Sequence, residues 1–145
     1  MNVDREWVEH ALAELSKAGY RRGGARTAIV ELLAGHHCAR TALEIDDELR
    51  TGGRRVGRAS VYRALEQLDG LGLVSRVEVG HGTARYEPVR PGGHHHHHLV
   101  CDDCGDVLPF EDPELERSIA RLSRRLDFRV AEHEVVLHGS CGCQN

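Results

Sequence analysis

Nothing in this 145-residue chain approaches the roughly 18 consecutive apolar residues that a membrane-spanning helix requires, so a helical membrane protein is not expected. A secretory leader is not expected either, because Met1-Asn2-Val3-Asp4-Arg5-Glu6 is charged and runs into no apolar segment. The expected compartment is therefore the cytoplasm, which is reducing, and paired cysteines there read as metal ligands rather than disulfides. There is no internal repeat, and no H-E-x-x-H of the kind that builds a hydrolytic zinc site. What is present is an ordinary soluble composition, 40% hydrophobic and 29% charged, with a formal charge of −4. A chain of this length can bury roughly 70% of its unfolded surface, which suits one or two small domains and argues against a disordered chain. Two counts stand out. There are eleven His, five of them consecutive from His94 to His98, and five Cys, namely Cys38, Cys101, Cys104, Cys141 and Cys143.

The charge is divided along the chain. Residues 16–63 carry ten basic and five acidic side chains, whereas residues 101–145 carry five basic and ten acidic ones. A net acidic chain argues against nucleic acid as a partner, but phosphate attraction acts locally, over roughly 8–10 Å, and the basic half reopens it. Composition also changes at Pro91-Gly92-Gly93, with Arg-rich sequence before it and nearly all the metal-competent side chains after it. These residues, 91–93, read as a hinge between a domain at 1–90 and a domain at 94–145.

In the first domain, apolar periodicity predicts helices over Asp4–Ala18, Ala25–Ala34 and Ala42–Arg50, the last capped by Thr41. A fourth is predicted over Val61–Leu71, capped by Ser60, with Val61, Leu65 and Leu68 on its inner face. Two strand-like segments, Leu73–Val79 and Thr83–Val89, flank Gly80-His81-Gly82 as a hairpin. Helices followed by a hairpin make a winged helix-turn-helix pattern, in which the fourth helix would enter the major groove. Its start, Arg58-Ala59-Ser60-Val61-Tyr62-Arg63, offers guanidiniums that can fork onto guanine and a phenol that can bond phosphate. Arg58, Ser60, Tyr62 and Arg63 are accordingly candidate DNA contacts, with Arg21, Arg22 and Arg26 around the second helix.

The second domain carries metal chemistry. Cys101-Asp102-Asp103-Cys104-Gly105 is a C-x-x-C knuckle, and Cys141-Gly142-Cys143 supplies a second pair. Together they offer four sulfurs, enough for a closed structural Zn²⁺ site, although three Cys and another group would also serve. The His run feeds directly into the knuckle, where a terminal purification tag would not lie. If it is a strand, His95 and His97 share one face and His96 and His98 the other, so one strand can serve two metal sites. A strand near Val107–Phe110, a helix over Pro113–Leu126 and a strand over Arg129–His138 complete the domain. Leu115, Ile119, Leu122 and Leu126 form the helix's apolar stripe, and Glu116 and His133 are candidates to reach the His strand.

Arg26, Gly57-Arg58-Ala59-Ser60-Val61-Tyr62-Arg63, Arg85-Tyr86-Glu87, the His run with Leu99-Val100-Cys101-x-x-Cys104-Gly105, and His138-Gly139-Ser140-Cys141 together resemble the Fur (ferric uptake regulator) family of metal-dependent transcriptional regulators. The resemblance runs from about Gly19 to Cys143. It implies an α+β protein, an N-terminal winged helix followed by a C-terminal α/β dimerisation domain, acting as a homodimer on palindromic double-stranded DNA. It also implies structural zinc on Cys101, Cys104, Cys141 and Cys143. A second regulatory site would use His95, His97, Glu116 and His133. A sensor site would use His96, His98, Glu87 and His37, with His36 the alternative to His37. Two positions depart from family patterns. Pro109 stands where iron-sensing members often place a carboxylate, with Glu111 two residues away. Pro88-Val89 stands where zinc-sensing members often place a Cys.

The expected function is a metal-responsive repressor of metal-homeostasis genes, holding structural Zn²⁺ and one or two regulatory Fe²⁺, Zn²⁺ or Mn²⁺ ions per subunit. A peroxide-sensing regulator of the same family is the near alternative, because His-held Fe²⁺ can be oxidised locally. A metalloenzyme would need an open metal position, a base and a pocket. A metal store would leave the Arg-rich helix start unexplained.

Overall fold

A computed structural model describes residues 4–21, 23–36, 39–78, 82–91 and 96–142, in two units, Met1–His94 and His95–Asn145. In the first unit, the Asp4 carboxylate accepts the Trp7 amide at 3.0 Å and so caps α1 (Arg5–Lys17). That bond, with an ion pair to Arg90, holds the Asp4 carboxyl below its ordinary range despite the opposing effect of burial. Trp7, Ala11 and Leu15 recur every four residues and are buried together. The Trp7 indole N–H donates to the Leu73 carbonyl at 3.2 Å, which satisfies the one polar atom of a fully buried ring. Ile29, Val30 and Leu33 of α2 (Gly24–Ala34) and Ile45 and Leu49 of α3 (Ala42–Thr51) join this core. Thr41 and Glu44 cap α3 reciprocally, hydroxyl to amide at 3.1 Å and carboxylate to amide at 3.3 Å.

Val61, Leu65 and Leu68 of α4 (Arg58–Gly70) are fully buried, each worth about 1.5–3 kcal/mol relative to exposure. Leucine and valine at this spacing fix which face of α4 turns inward and leave Tyr62, Arg63 and Glu66 exposed. Three strands complete the unit: β1 (Arg40–Thr41), β2 (Val74–Glu78) and β3 (Ala84–Pro88), in the order β1-β3-β2 and antiparallel throughout. Helices α2 to α4 with the β2–β3 hairpin are a winged helix.

The second unit holds β4 (His97–Cys101), β5 (Val107–Phe110), α5 (Pro113–Arg125) and β6 (Val136–Gly139). The sheet order is β5-β4-β6, with β5 antiparallel and β6 parallel to the central β4. Asp112 caps α5, and Pro113 occupies its first turn, where the missing N–H costs nothing. Among the described residues of this unit, His97, His98, Val100, Cys101 and Val107 are buried. Three of the five are metal-competent, so the unit's interior is built around ligands more than around hydrocarbon.

Two expectations need correction, and two further features had none. Ser60 does not cap α4. Gly57 occupies that position in extended backbone and its carbonyl accepts the Ser60 and Val61 amides, which puts Arg58 in the first helical position. Strand β1 lacked any apolar alternation and is only two residues long. The strand expected over Arg129–His138 shrinks to Val136–Gly139, because β4 offers so few residues to pair with and the parallel register runs only from His98↔Val136 to Cys101↔Gly139. Lastly, no residue of α5 is buried: of its apolar stripe Leu115 and Ile119 are half-buried, and Leu122 is left exposed among the described residues.

Candidate metal centres and nucleic-acid interface

The knuckle is a turn closed by the Gly105 amide on the Cys101 carbonyl at 2.8 Å, with Gly105 at φ 78°, a conformation glycine adopts without strain. The Asp102 amide donates to the Gly139 carbonyl at 2.8 Å and ties the turn to the end of β6. Cys141 is thereby brought back to it, with the Cys104 and Cys141 sulfurs 3.7 Å apart and all three sulfurs within 4.8 Å. Tetrahedral zinc with Zn–S bonds of about 2.3 Å has sulfur–sulfur edges of roughly 3.8 Å, so this donor set fits zinc. The Cys101 thiol is drawn down to about 6 by the Cys104 amide and then the Cys141 amide, both 3.5 Å from its sulfur. That favours the thiolate, the form that binds metal. Cys143, expected as a fourth ligand, lies outside the described residues.

A second cluster joins β4, α5 and the segment before β6. His97 Nε2 lies 2.5 Å and His133 Nε2 2.7 Å from the two oxygens of Glu116. The His97 bond foremost, with that from His133, holds the Glu116 carboxyl below its ordinary range against desolvation. The Val135 amide donates to His97 Nδ1 at 3.2 Å, which leaves the ring proton on Nε2, facing Glu116. A metal held through His97 Nε2 would need the ring proton on Nδ1 instead, and the hydrogen bond from the Val135 amide would then be lost. Separations and donor types suit a divalent ion, with that adjustment. His95, expected here, lies outside the described residues.

His96 and His98 bring their rings to 5.1 Å, edge to face, while the intervening His97 turns to Glu116. Pro109 of β5 stands directly opposite His98 in the register. In the first unit Glu87 sits on β3 opposite Ser75. His36 has both ring nitrogens engaged within that unit: Nε2 is 2.6 Å from Glu48, and Nδ1 is 3.2 Å from Arg40 Nη2. Arginine only donates, so Nδ1 accepts and Nε2–H donates to Glu48. His36 thus has a local role. His37 lies outside the described residues.

On α4, Tyr62 is 44% exposed and Arg63 is also exposed, and Ser60 is half-buried in the first turn. With no side chain capping α4, its first amides and positive end suit a phosphate. Arg58 is exposed and bonds Asp46. Arg21 is exposed as well, while Arg22 lies outside the described residues. Arg26 is engaged internally: its guanidinium donates to Gln67 at 3.1 Å and to the Arg21 carbonyl at 3.4 Å, and lies 4.9 Å from the centre of the Tyr20 ring.

The model of the ferric uptake regulator family matches residues 17–138, which takes in both the winged helix and the cysteine knuckle. The chain belongs to the ferric uptake regulator family. It is 36% identical over 127 residues to a zinc uptake regulation protein of Mycobacterium tuberculosis, covering 88% of this chain and 96% of that one. It is 32% identical to the peroxide-responsive repressor PerR of Staphylococcus aureus, covering 100% of this chain and 99% of that one. The ferric uptake regulator of Vibrio cholerae superposes with a TM-score of 0.77 at 33% identity, covering 89% of this chain and 98% of that one. As a Fur-family member the chain is a metal-binding, DNA-binding transcription regulator that works as a homodimer, and not an enzyme. No helix among the described residues is long and apolar enough to cross a membrane.

Sequence reasoning missed the polar partners that organise this Fur-family chain. Val135 acts through its amide and leaves no trace in side-chain patterns. The cluster of His36, Arg40 and Glu48 draws on the loop after α2, on β1 and on α3. Asp46 did leave a signal, as an acid beside Ile45 on the inner face of α3.

Proposed function

We propose that this Fur-family chain is a zinc-responsive repressor of metal-homeostasis genes that binds palindromic operators as a metal-loaded homodimer in the cytoplasm. Cys101, Cys104, Cys141 and Cys143 would hold structural zinc. His37, Glu87, His96 and His98 would form the sensor site, and His95, His97, Glu116 and His133 a second regulatory one. Arg58, Ser60, Tyr62 and Arg63 would meet DNA, with Arg21 and Arg22 alongside and Arg26 bracing the helices behind them.

The observation that carries zinc over iron or manganese is Pro109. It stands opposite His98, where the family resemblance would put the further carboxylate of an iron sensor, and it can offer no side-chain donor. A nitrogen-rich set of three imidazoles and one carboxylate suits four-coordinate zinc, whereas manganese prefers six oxygen-rich ligands. Zinc supplies no redox chemistry, only a bond to each ligand, so the response is conformational. Ligands drawn from both sides of the hinge at 91–93 would favour the dimer whose two α4 helices lie about one DNA turn apart, roughly 34 Å. Coupling of this kind is commonly about 1–3 kcal/mol, or roughly 5- to 150-fold in DNA affinity.

Chelated protein titrated separately with Zn²⁺, Fe²⁺, Mn²⁺ and Ni²⁺ tests this. Zn²⁺ should restore operator binding at the lowest free concentration. The Zn²⁺ response should fade as the medium is made acid, because protons compete with the metal for the imidazole nitrogens. His96→Ala should retain its cysteine-held zinc and lose the response. A response to Fe²⁺ alone, abolished by hydrogen peroxide, would replace this reading with peroxide sensing.

A further inference from the structure

Asp46 lies on the inner face of α3 with Ala42, Ile45 and Leu49, and its side chain is 2% exposed. The two cations that meet it are largely in solvent. Arg50 Nη2 is 2.7 Å and Arg58 Nε 3.3 Å from the same carboxylate oxygen. A buried carboxylate is a poor source of stability, because its desolvation can exceed the attraction and an apolar residue of similar volume often serves a fold as well. Its placement is better explained by what it does to Arg58. That residue opens α4, and Asp46 engages its Nε alone. Among the described residues, Arg58 Nη1 and Nη2 have no hydrogen-bond partner. They are groups that can fork onto guanine O6 and N7.

We infer that Asp46 is a positioning residue for base readout, which holds Arg58 by Nε so that Nη1 and Nη2 are presented to one base pair. An untethered arginine samples many rotamers, and pinning it beforehand lowers the ordering cost of contact. Arg50 completes the device. With two guanidiniums on one carboxylate the cluster stays net positive, so the acid does not repel phosphate. The inference rests on α4 being the DNA reader.

The test uses the full-length, zinc-loaded dimer and a palindromic duplex that the wild type selects from a randomised library, with every single-base-pair variant of that duplex. Arg58→Ala should lose its preference at one base pair per half-site, typically about 5- to 150-fold. Asp46→Asn should erode the preference at that same base pair and at no other. The double variant should match Arg58→Ala. A residue needed only for packing would weaken every duplex by one factor, and that result for Asp46→Asn, or an unchanged preference, overturns the inference. Asp46→Glu keeps the charge, moves it by one methylene and should give an intermediate loss. If neither variant folds, Asp46 belongs to the fold and the inference fails. If Tyr62→Ala with Arg63→Ala leaves binding intact, α4 is not the reader, and the proposed interface falls too. If that pair abolishes binding while Arg58→Ala keeps every preference, only the present inference falls.

Discussion

Cys101 is buried at the end of β4 while Cys104 and Cys141 face solvent, so the three thiols are unequal despite sharing a site. Its loss removes a thiolate ligand and the sulfur that accepts two backbone amides. Zinc binding to such sites is worth roughly 10–16 kcal/mol in zinc-finger peptides, and that free energy is folding free energy. Cys101→Ser is therefore expected to lose about one zinc per chain and to melt well below the wild type, and Cys38→Ser to change little. Calorimetry with zinc counted by chelator release checks both, and full zinc in Cys101→Ser would sink the assignment. Glu44 supports a prediction about acid. Burial pushes its carboxyl up, but hydrogen bonds from Thr41 and Arg40, with Arg85 nearby, outweigh this and hold it below its ordinary value. A depressed carboxyl contributes stability above its unfolded pKa and loses it as pH falls through the folded value. Glu44→Gln keeps a side chain that can close the capping box and removes the charge. It should melt about 1–5 °C lower than the wild type near neutral pH. The gap should narrow as pH falls below the ordinary carboxylate range and vanish once the lowered folded value is passed, and a gap that does not narrow at all in acid would exclude the charge as its cause.

The elements were legible in the sequence in proportion to their periodicity. Val61, Leu65 and Leu68 marked α4 and its outward Tyr62 and Arg63 before any coordinates, because a three-four spacing of bulky residues has one helical solution. The alternation of the His run likewise separated His97 from His96 and His98, since neighbouring strand residues face opposite ways. What stayed hidden was set by pairing and by backbone groups. The length of β6 follows from the length of β4, and the start of α4 follows from Gly57 taking the cap without a side chain. The second of these moves Arg58 into the helix and bears on how α4 meets DNA. Tyr62→Ala with Arg63→Ala should weaken operator binding by about 10-fold or more, from contacts worth roughly 1–3 kcal/mol each at a base and less at a phosphate. Arg63→Ala alone should weaken all sequences alike and flatten the dependence on salt by about one counterion. Filter binding across a salt series distinguishes the two, and an unchanged salt slope would remove Arg63 from the phosphate contacts.

At the scale of the whole molecule, the second unit is unfinished as a single chain. Among the described residues its interior holds more ligand side chains than aliphatic ones, and α5 buries none of its residues, with Leu122 41% exposed and Leu126, just past its end, 63% exposed. Leu137 on β6 and Phe128 after α5 are exposed as well. Apolar surface grouped on one small unit marks an association face, and a homodimer is how this family works. Covering that face joins two winged helices, and each then binds its half-site at the effective concentration set by the other. Such linkage commonly raises affinity by roughly 10²–10⁴ over one half-site. Leu122→Glu with Leu126→Glu places charges in that face without touching Cys101, Cys104, Cys141, His97, Glu116 or His133. The pair is expected to sediment as a monomer, to keep its structural zinc, and to bind a palindromic duplex no better than a single half-site. Wild type should prefer the palindrome by about 100-fold or more. Sedimentation equilibrium and zinc content separate this from misfolding, which would release the zinc too. A variant that remains dimeric, holds its zinc and keeps its preference for the palindrome would show that the exposed stripe of α5 lies outside the dimer contact, and that the sheet surface around Leu137 must carry the association instead.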